Sequence, residues 1–508
     1  VWAMLHLLTS MLRVTDTPRL YPVYTPKQIY KWQDDWLAKT SDRLALWRQA
    51  GNMLAHYLPT LPVITASTPI AIWCGHGESG AIGYLLAQHL HKAGYLVTTV
   101  QACQGLSEMT AQAQKITKAS GVPCVGLSQL EGKRFAVHID ALLGLAVNLP
   151  TTDYQQAIRA FNNADGYKIA IDCPAGLAAD SGAVATIATK VTTTLALTAL
   201  TLGTLTGNGR EYAKDIVLCP LVPVIDDTPV ASLDYRLPVL PTRQKTAHKG
   251  SNGTVAIIGG GLAMGGAVIL AGEAALACGA GKVTLFCEAN HHSAVLARNP
   301  ALMTRTMAEL DDSILQEMDT VAFGMGLGRD KLAEDYFLQV MPKLLAHNLQ
   351  TLILDADALY FLAKFADKFS PLPISVIATP HDGEAARLLA CTPDKITQDK
   401  AQAIYALQAR YGGSWVLKGA GTLTLTDKLA ICPFGNPAMA TAGMGDVLSG
   451  VIAGLRAQYG ALAIASMVTI HALAGDRLAV AQGGLGILNA TQMPNAITAT
   501  INHLPRAP

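Results

Sequence analysis

The sequence predicts an α/β protein made of two open, mostly parallel sheets in tandem. Short apolar runs alternate with helical periods along most of the chain, which is the pattern of βα units. Glycine-rich turns follow several of those runs, as at residues 75–83, 259–266 and 324–328. Residues 221–244 interrupt the alternation: "LVPVIDDTPVASLDYRLPVLPTRQ" has four prolines and no helical period. That composition reads as a linker with a boundary near 235, and gives expected domains of 1–235 and 236–508.

A chain of 508 residues exceeds what one core organises. Half of its residues are apolar and 15% are charged, as expected for large buried sheets. The net charge of +1 offers no electrostatic footprint for nucleic acid or an anionic membrane. Nine cysteines are scattered without a C-x-x-C pair, which suggests reduced thiols in a cytoplasmic protein. The apolar stretch 2–12 lacks a basic flank and a small-residue cleavage site. Residues 192–205 are threonine-rich and shorter than a membrane span. Neither is expected to target or anchor the chain.

In the first series, strands are expected at 70–74, 95–100, 135–139, 169–172 and 193–197, with helices over 84–93 and 110–118. The first strand runs into "CGHGESGAIG", whose Gly75-x-Gly77-x-x-Gly80 has the spacing of a dinucleotide-binding turn. That signal is weak without an acid at the end of the next strand to hold a ribose. Here that strand ends in Gln101 and Ala102, so a dehydrogenase ranks last. Asp140 and Asp172 each close an expected strand, where an acid either serves a site or caps a turn.

The second series restarts at "HKGSNGTVAIIGGG", with further strands expected at 282–287, 320–324, 351–355, 374–379 and 415–418. A mostly helical run over 446–482 breaks near Gly460. In "GNPAMATAGMGDVLSGVIAGL", Ala442, Gly443, Met444 and Gly445 lie where a loop enters a helix. Backbone N–H groups converging there suit a transferring phosphoryl group, and Asp446 in the first turn can take a proton from an attacking hydroxyl. A glycine hinge with a first-turn acid accounts for the loop equally well. "LKGAGTLTLTD" reads as strand, glycine turn and strand, suited to covering a nucleotide. "LDADALY", "ATPHDGEAARLL" and "GMGLGRD" put acids, His381, Glu384 and glycines at further strand ends. Singly each fits a cap or a turn; together on one sheet edge they describe a nucleotide-using active site. "GGGLAMGG" lacks the lysine and hydroxyl residue of a P-loop.

Residues from about 245 to 505 resemble the nucleotide-dependent NAD(P)H-hydrate dehydratases, a branch of the ribokinase-like superfamily. The matching segments, in family order, are "HKGSNGTVAIIGGG", "GMGLG", "LDADAL", "TPHDGEAARLL", "LKGAGT", "NPAMATAGMGDVLSG" and "HALAGDRLA". The first half resembles the Rossmann-type NAD(P)H-hydrate epimerase domain usually fused to them, through "CGHGESGAIGYLLAQHL", "IDALLGLAVN" and "IDCPAGLAADSG". The resemblance implies dehydration of the S hydrate of NADH or NADPH at the expense of ADP or ATP, with Mg²⁺. It implies Asp446 as catalytic residue and Ala442 to Gly445 as the anion hole. Ala267, Gly326, His381 and Asp446 would contact the hydrate. Lys418, Gly419, Ala420, Gly421, Thr422 and Gly445 would contact the nucleotide, and Glu384 matches a magnesium-linked acid.

For the first half, the resemblance implies Asp172 and Gly144 at the substrate and K⁺ held by Ser79, Asp140 and Ala175. The family pattern G-x-G-N-N-G-G-D-G is altered, because Glu78, Ser79 and Ile82 replace its two asparagines and its aspartate. Ala175 stands where a serine is usual, and Thr201 where relatives commonly carry lysine. Cation binding and epimerisation are therefore expected to be weakened or lost. A homo-oligomer is expected, with small-molecule partners and neither nucleic acid nor membrane. Two other functions fit the same motifs: a ribokinase-like kinase of a vitamin-precursor alcohol, and a nucleotide-binding sensor or scaffold without turnover.

Overall fold

The computed structural model describes residues 12–146, 151–225, 228–484 and 486–507, so nearly all of the apolar stretch 2–12 lies outside the described residues. The chain divides into two compact units, one ending at Tyr235 and the other beginning at Arg236.

In the first unit an eight-stranded sheet runs in the order Leu12–Arg13, Asp215–Cys219, Thr193–Leu197, Tyr167–Ile171, Val137–Ala141, Ile70–Cys74, Val97–Gln101, Cys124–Gly126. Every neighbouring pair is parallel except the outermost, where Leu12–Arg13 runs antiparallel to Asp215–Cys219. Ile70–Cys74 and Val137–Ala141 are buried at every position. A parallel sheet covered on both faces requires such continuous apolar runs. From Ile70–Cys74 the chain builds outward through Val97–Gln101 and Cys124–Gly126, then returns to the opposite side with Val137–Ala141. The order therefore reverses between those two central strands, and a crevice opens at their carboxyl ends.

The structure adds elements that composition did not suggest. Helix Pro26–Leu37 starts at Thr25 in a capping box with Gln28. Helix Ala45–Tyr57 packs on helix Glu78–Lys92. Within the proline-rich stretch, Ala231–Asp234 is a strand, antiparallel to Leu20–Tyr24.

In the second unit nine strands lie side by side in the order Met303–Arg305, Lys282–Phe286, Thr254–Ile258, Thr320–Phe323, Thr351–Leu354, Leu372–Ala378, Gly412–Leu417, Leu423–Leu425, Leu429–Ile431, and Leu240–Pro241 pairs separately with Arg506–Ala507. The first seven are parallel and the last two form an antiparallel meander. The helical run resolves into Met444–Gln458 and Ile464–Ala481. Helix Met444–Gln458 lies against Gly265–Ala277, close enough that a Cβ on Gly450 would sit 2.1 Å from the Ala271 carbonyl. Ile464–Ala481 is the one described helix long and apolar enough to cross a membrane; 56% of it is buried, and it packs on Met493–Asn502.

Candidate functional site

Parallel strands of the second unit deliver the expected site residues to one sheet edge. Asp355 follows Thr351–Leu354, His381 lies just beyond Leu372–Ala378, and Lys418 follows Gly412–Leu417. Lys418 Nζ is 2.8 Å from Asp355 Oδ1 and 3.8 Å from Glu384 Oε2. Burial works against the lysine charge, but Asp355, Glu384 and Asp446 outweigh it and hold the ammonium above its ordinary pKa. Asp355 is itself fixed, since its Oδ2 accepts from Ser449 Oγ at 2.7 Å and its Oδ1 from Ala356 N–H at 2.9 Å.

The two acids of "LDADALY" part company. Asp357 accepts from Gly328 N–H at 2.9 Å and from Arg329 Nε at 2.6 Å, so it braces the glycine turn after Thr320–Phe323. His381 and Glu384 cap helix Asp382–Leu388 reciprocally. The His381 ring Nδ1 accepts from Gly383 N–H at 3.0 Å, while Glu384 Oε2 accepts from His381 N–H at 2.9 Å. Burial raises the Glu384 pKa, and Lys418 opposes that shift.

Met444–Gln458 begins at Gly443, whose φ of 90° is left-handed. A side chain there would also meet Leu270 Cδ1 at 2.5 Å, so the loop turns into the helix only with glycine. Met444 buries its side chain and Ala442 is exposed, which leaves their backbones as what they can offer an anion. Gly445 places the loop beside the lysine: a Cβ on it would lie 3.2 Å from Lys418 Nζ. Asp446 occupies the first helical turn. Its pKa is raised to about 7 by burial first, then by Asp355 against the opposing Lys418, with Glu384 and Asp357 adding to the rise.

Ala267 and Gly326 also meet, since a Cβ on Gly326 would lie 3.2 Å from that of Ala267. Gly419 to Thr422 form the turn between Gly412–Leu417 and Leu423–Leu425, where Thr422 Oγ1 donates to the Gly419 carbonyl at 2.8 Å.

Several supporting residues escaped the sequence reading. Asp476 accepts from Gly435 N–H at 2.9 Å and from Asn436 Nδ2 at 2.8 Å, and Asn436 in turn caps Pro437–Met439. His471 is buried one turn earlier on the same helix; burial, then the Lys418 charge, lower its pKa to about 4. His471 and Asp476 stand about 140° apart around that helix, so "HALAGD" carries no one-face signal in its spacing. Lys400, 1% exposed, donates to the Lys418 carbonyl at 2.8 Å.

In the first unit, a cavity of about 580 Å³ opens at the reversal of strand order. Tyr30, Glu78, Ser79, Tyr154 and Asp172 are among its lining residues, and none of its described lining residues is a lysine or arginine. Gly75 packs under two of the lining residues: a Cβ on it would lie 1.9 Å from the Leu142 carbonyl and 2.9 Å from the Tyr154 hydroxyl. Gly144, Ser79 and Asp172 come together: a Cβ on Gly144 would be 2.1 Å from Ser79 Oγ and 3.8 Å from Asp172 Cβ. Asp172 has φ 65° and its Oδ1 accepts from Leu197 N–H at 2.8 Å. Burial, opposed by that hydrogen bond and assisted by Glu78, raises its pKa to about 7.

Asp140 is 1% exposed and internally paired. It accepts from Leu142 N–H at 3.0 Å, Ala175 N–H at 2.8 Å and Thr189 Oγ1 at 2.5 Å. The Ala175 carbonyl accepts from Thr189 N–H at 2.9 Å. Thr201, placed at the edge strand Leu200–Thr201, is buried.

The family described as NAD(P)H-hydrate dehydratase matches residues 255–499, and that described as YjeF-related protein N-terminus matches residues 43–203. The bifunctional NAD(P)H-hydrate repair enzyme Nnr of Coxiella burnetii is 37% identical over 442 residues, 84% of this chain and 89% of that protein. Its Escherichia coli counterpart is 33% identical, covering 85% of this chain and 84% of that protein. A crystal structure of the ADP/ATP-dependent NAD(P)H-hydrate dehydratase from Bacillus subtilis, co-crystallised with ATP and Mg²⁺, is 25% identical. It covers 52% of this chain and 94% of its own, with a TM-score of 0.46. With both family matches and relatives of 33–37% identity spanning 84–85% of it, the chain belongs to the family of bifunctional NAD(P)H-hydrate repair enzymes.

Proposed function

We propose that the second unit, 236–508, dehydrates the S hydrate of NADH or NADPH at the expense of ADP or ATP. One observation carries this: Asp446, with a pKa near 7, sits in the first turn of a helix whose N-terminus opens beside Lys418. Hydroxide is a poor leaving group. Asp446 takes the proton of the ring hydroxyl as its oxygen attacks the terminal phosphoryl group. The N–H groups of Ala442 to Gly445 and the Lys418 ammonium receive the developing charge. Phosphate then departs with the C–O electron pair, and the ring loses a proton from the adjacent carbon to restore the dihydronicotinamide. Lys418 to Thr422 and Gly445 hold the nucleotide, while Ala267, Gly326 and His381 hold the hydrate.

Among the described residues no cluster of three His, Cys, Asp or Glu is arranged to hold a metal. That fits magnesium carried mainly by nucleotide phosphates, which it neutralises and orients when bound. Glu384 would hold it through water, because its oxygens already face His381.

For 1–235 we propose an epimerase-type ligand cavity with Asp172 and Gly144 against the substrate and impaired turnover. The residues present do not fit potassium. Three donors occupy Asp140, the Ala175 carbonyl is engaged by Thr189, and no hydroxyl stands at position 175. We read the protein as a cytoplasmic homo-oligomer, for which its nine free cysteines are the support as to compartment.

The test is to incubate the full chain with each hydrate epimer, Mg²⁺ and either ADP or ATP. Nucleotide-dependent recovery of the near-ultraviolet absorbance of the reduced ring is expected. No recovery with either nucleotide, alongside phosphorylation of a pyrimidine alcohol, would overturn this function in favour of a vitamin-precursor kinase.

A further inference from the structure

We propose that Lys400 is a positioning residue that couples the nucleotide turn to the His381 segment, an inference that rests on the dehydratase function proposed above. Lys400 opens helix Lys400–Tyr411, which is N-capped by Asp399. Its side chain is 2% exposed. An ammonium so far from water requires partners for its charge and its donors, so what it touches defines its task.

The partners belong to two different subsites. Nζ lies 2.5 Å from Asp382 Oδ1 and donates to the Lys418 carbonyl at 2.8 Å. Asp382 directly follows His381 and stands in the first turn of Asp382–Leu388, where its Oδ2 accepts from Thr397 Oγ1 at 3.1 Å. Lys418 opens the nucleotide turn, and its own ammonium reaches Asp355. Gly419 closes over Lys400, since a Cβ there would stand 2.9 Å from Nζ.

One main-chain hydrogen bond already joins the two segments, from Lys418 N–H to the Pro380 carbonyl at 2.9 Å. Lys400 ties the following residues of each. A shift of residues 418–419 on nucleotide binding therefore pulls on Asp382, and through it on His381 and the Glu384 cap. Each ligand then reports on the other as a coupling free energy. The Lys400 ammonium exchanges no proton with either ligand in this scheme; it holds two backbone segments in register.

The experiment uses the full chain and measures binding of the S hydrate with and without β,γ-methylene ATP, together with kcat and the KM values for ATP and for the hydrate. In Lys400→Met the factor by which the nucleotide tightens hydrate binding should fall roughly 3- to 30-fold, with kcat reduced more than hydrate KM changes. Lys400→Arg, which keeps charge and donors, should recover part of the coupling. Asp382→Asn removes the charge pair but leaves the lysine–carbonyl bond. It should lower the coupling in the same direction, and it serves if the methionine variant does not fold. Wild-type coupling in a folded Lys400→Met or Asp382→Asn variant, with only a lower melting temperature, overturns the proposal and leaves Lys400 a structural lysine. Failure of the wild-type chain to recover hydrate with either nucleotide overturns the dehydratase function itself, and this inference with it.

Discussion

Asp446 should give hydrate dehydration a steep dependence on pH. Burial and then Asp355, opposed by Lys418, bring its pKa to about 7, and as a base it works only when ionised. The ionised fraction is then about 0.1 at pH 6 and about 0.9 at pH 8, so kcat should climb roughly tenfold across that window. Asp446→Asn should lower kcat by about 10²- to 10⁴-fold and abolish the slope, while nucleotide binding persists. Stability changes with the opposite sign. Between the ordinary carboxylate value of 3.8 and about 7 the folded carboxyl keeps a proton that the unfolded chain has released, so stability falls as pH rises through that range. About three pKa units set a ceiling of about 4 kcal/mol on this loss. The asparagine variant should therefore melt higher than wild type at pH 8 while turning over more slowly, which separates a lost base from a lost fold. The assay is saturating turnover of the S hydrate with ATP at pH 6 and 8, paired with calorimetry at both. A flat wild-type rate, or a variant keeping more than about a tenth of wild-type kcat at pH 8, refutes Asp446 as the base.

Gly443→Ala should cost about 1–2 kcal/mol for its left-handed backbone before any contact with Leu270, and should depress kcat more than nucleotide affinity when steady-state rates are set against calorimetric binding. Thr189→Val leaves the buried Asp140 one donor short, so the first unit should lose about 1–3 kcal/mol in denaturant titration. Replacing potassium chloride by choline chloride should not move the wild-type melting temperature of that unit. Gly75→Ala drives a methyl group into the Leu142 carbonyl and should destabilise the first unit by circular dichroism, yet leave dehydration by the second at its wild-type rate.

The central strands were legible because burial on both faces writes them as unbroken apolar runs; 70–74 and 193–197 match the observed bounds. Helix Pro26–Leu37 was less legible, because only Pro26, Ile29, Trp32 and Gln33 are buried along a polar segment. Its Thr25–Gln28 box was the cue that went unread. Ala231–Asp234 was hidden by neighbouring prolines, since nothing local reveals a partner at Leu20–Tyr24. At the candidate site, the loop carrying Gly443 and Asp446 announces itself by composition. Ser449, Lys400 and Asp476 do not, because their meaning comes from contacts the fold makes; Ser449 reaches Asp355 across 94 residues of chain.

The pairing of Ala231–Asp234 with Leu20–Tyr24 also decides where this polypeptide can be divided. A cut near Pro220, at the start of the proline-rich stretch, would remove Ala231–Asp234 from the first unit. Such a cut would strip Leu20–Tyr24 of a ladder and leave its N–H and C=O groups bare, an edge that recruits other chains and precipitates. Anyone seeking the two halves as separate reagents should cleave after Tyr235, so that the amino-terminal piece keeps the strand that pairs with Leu20–Tyr24.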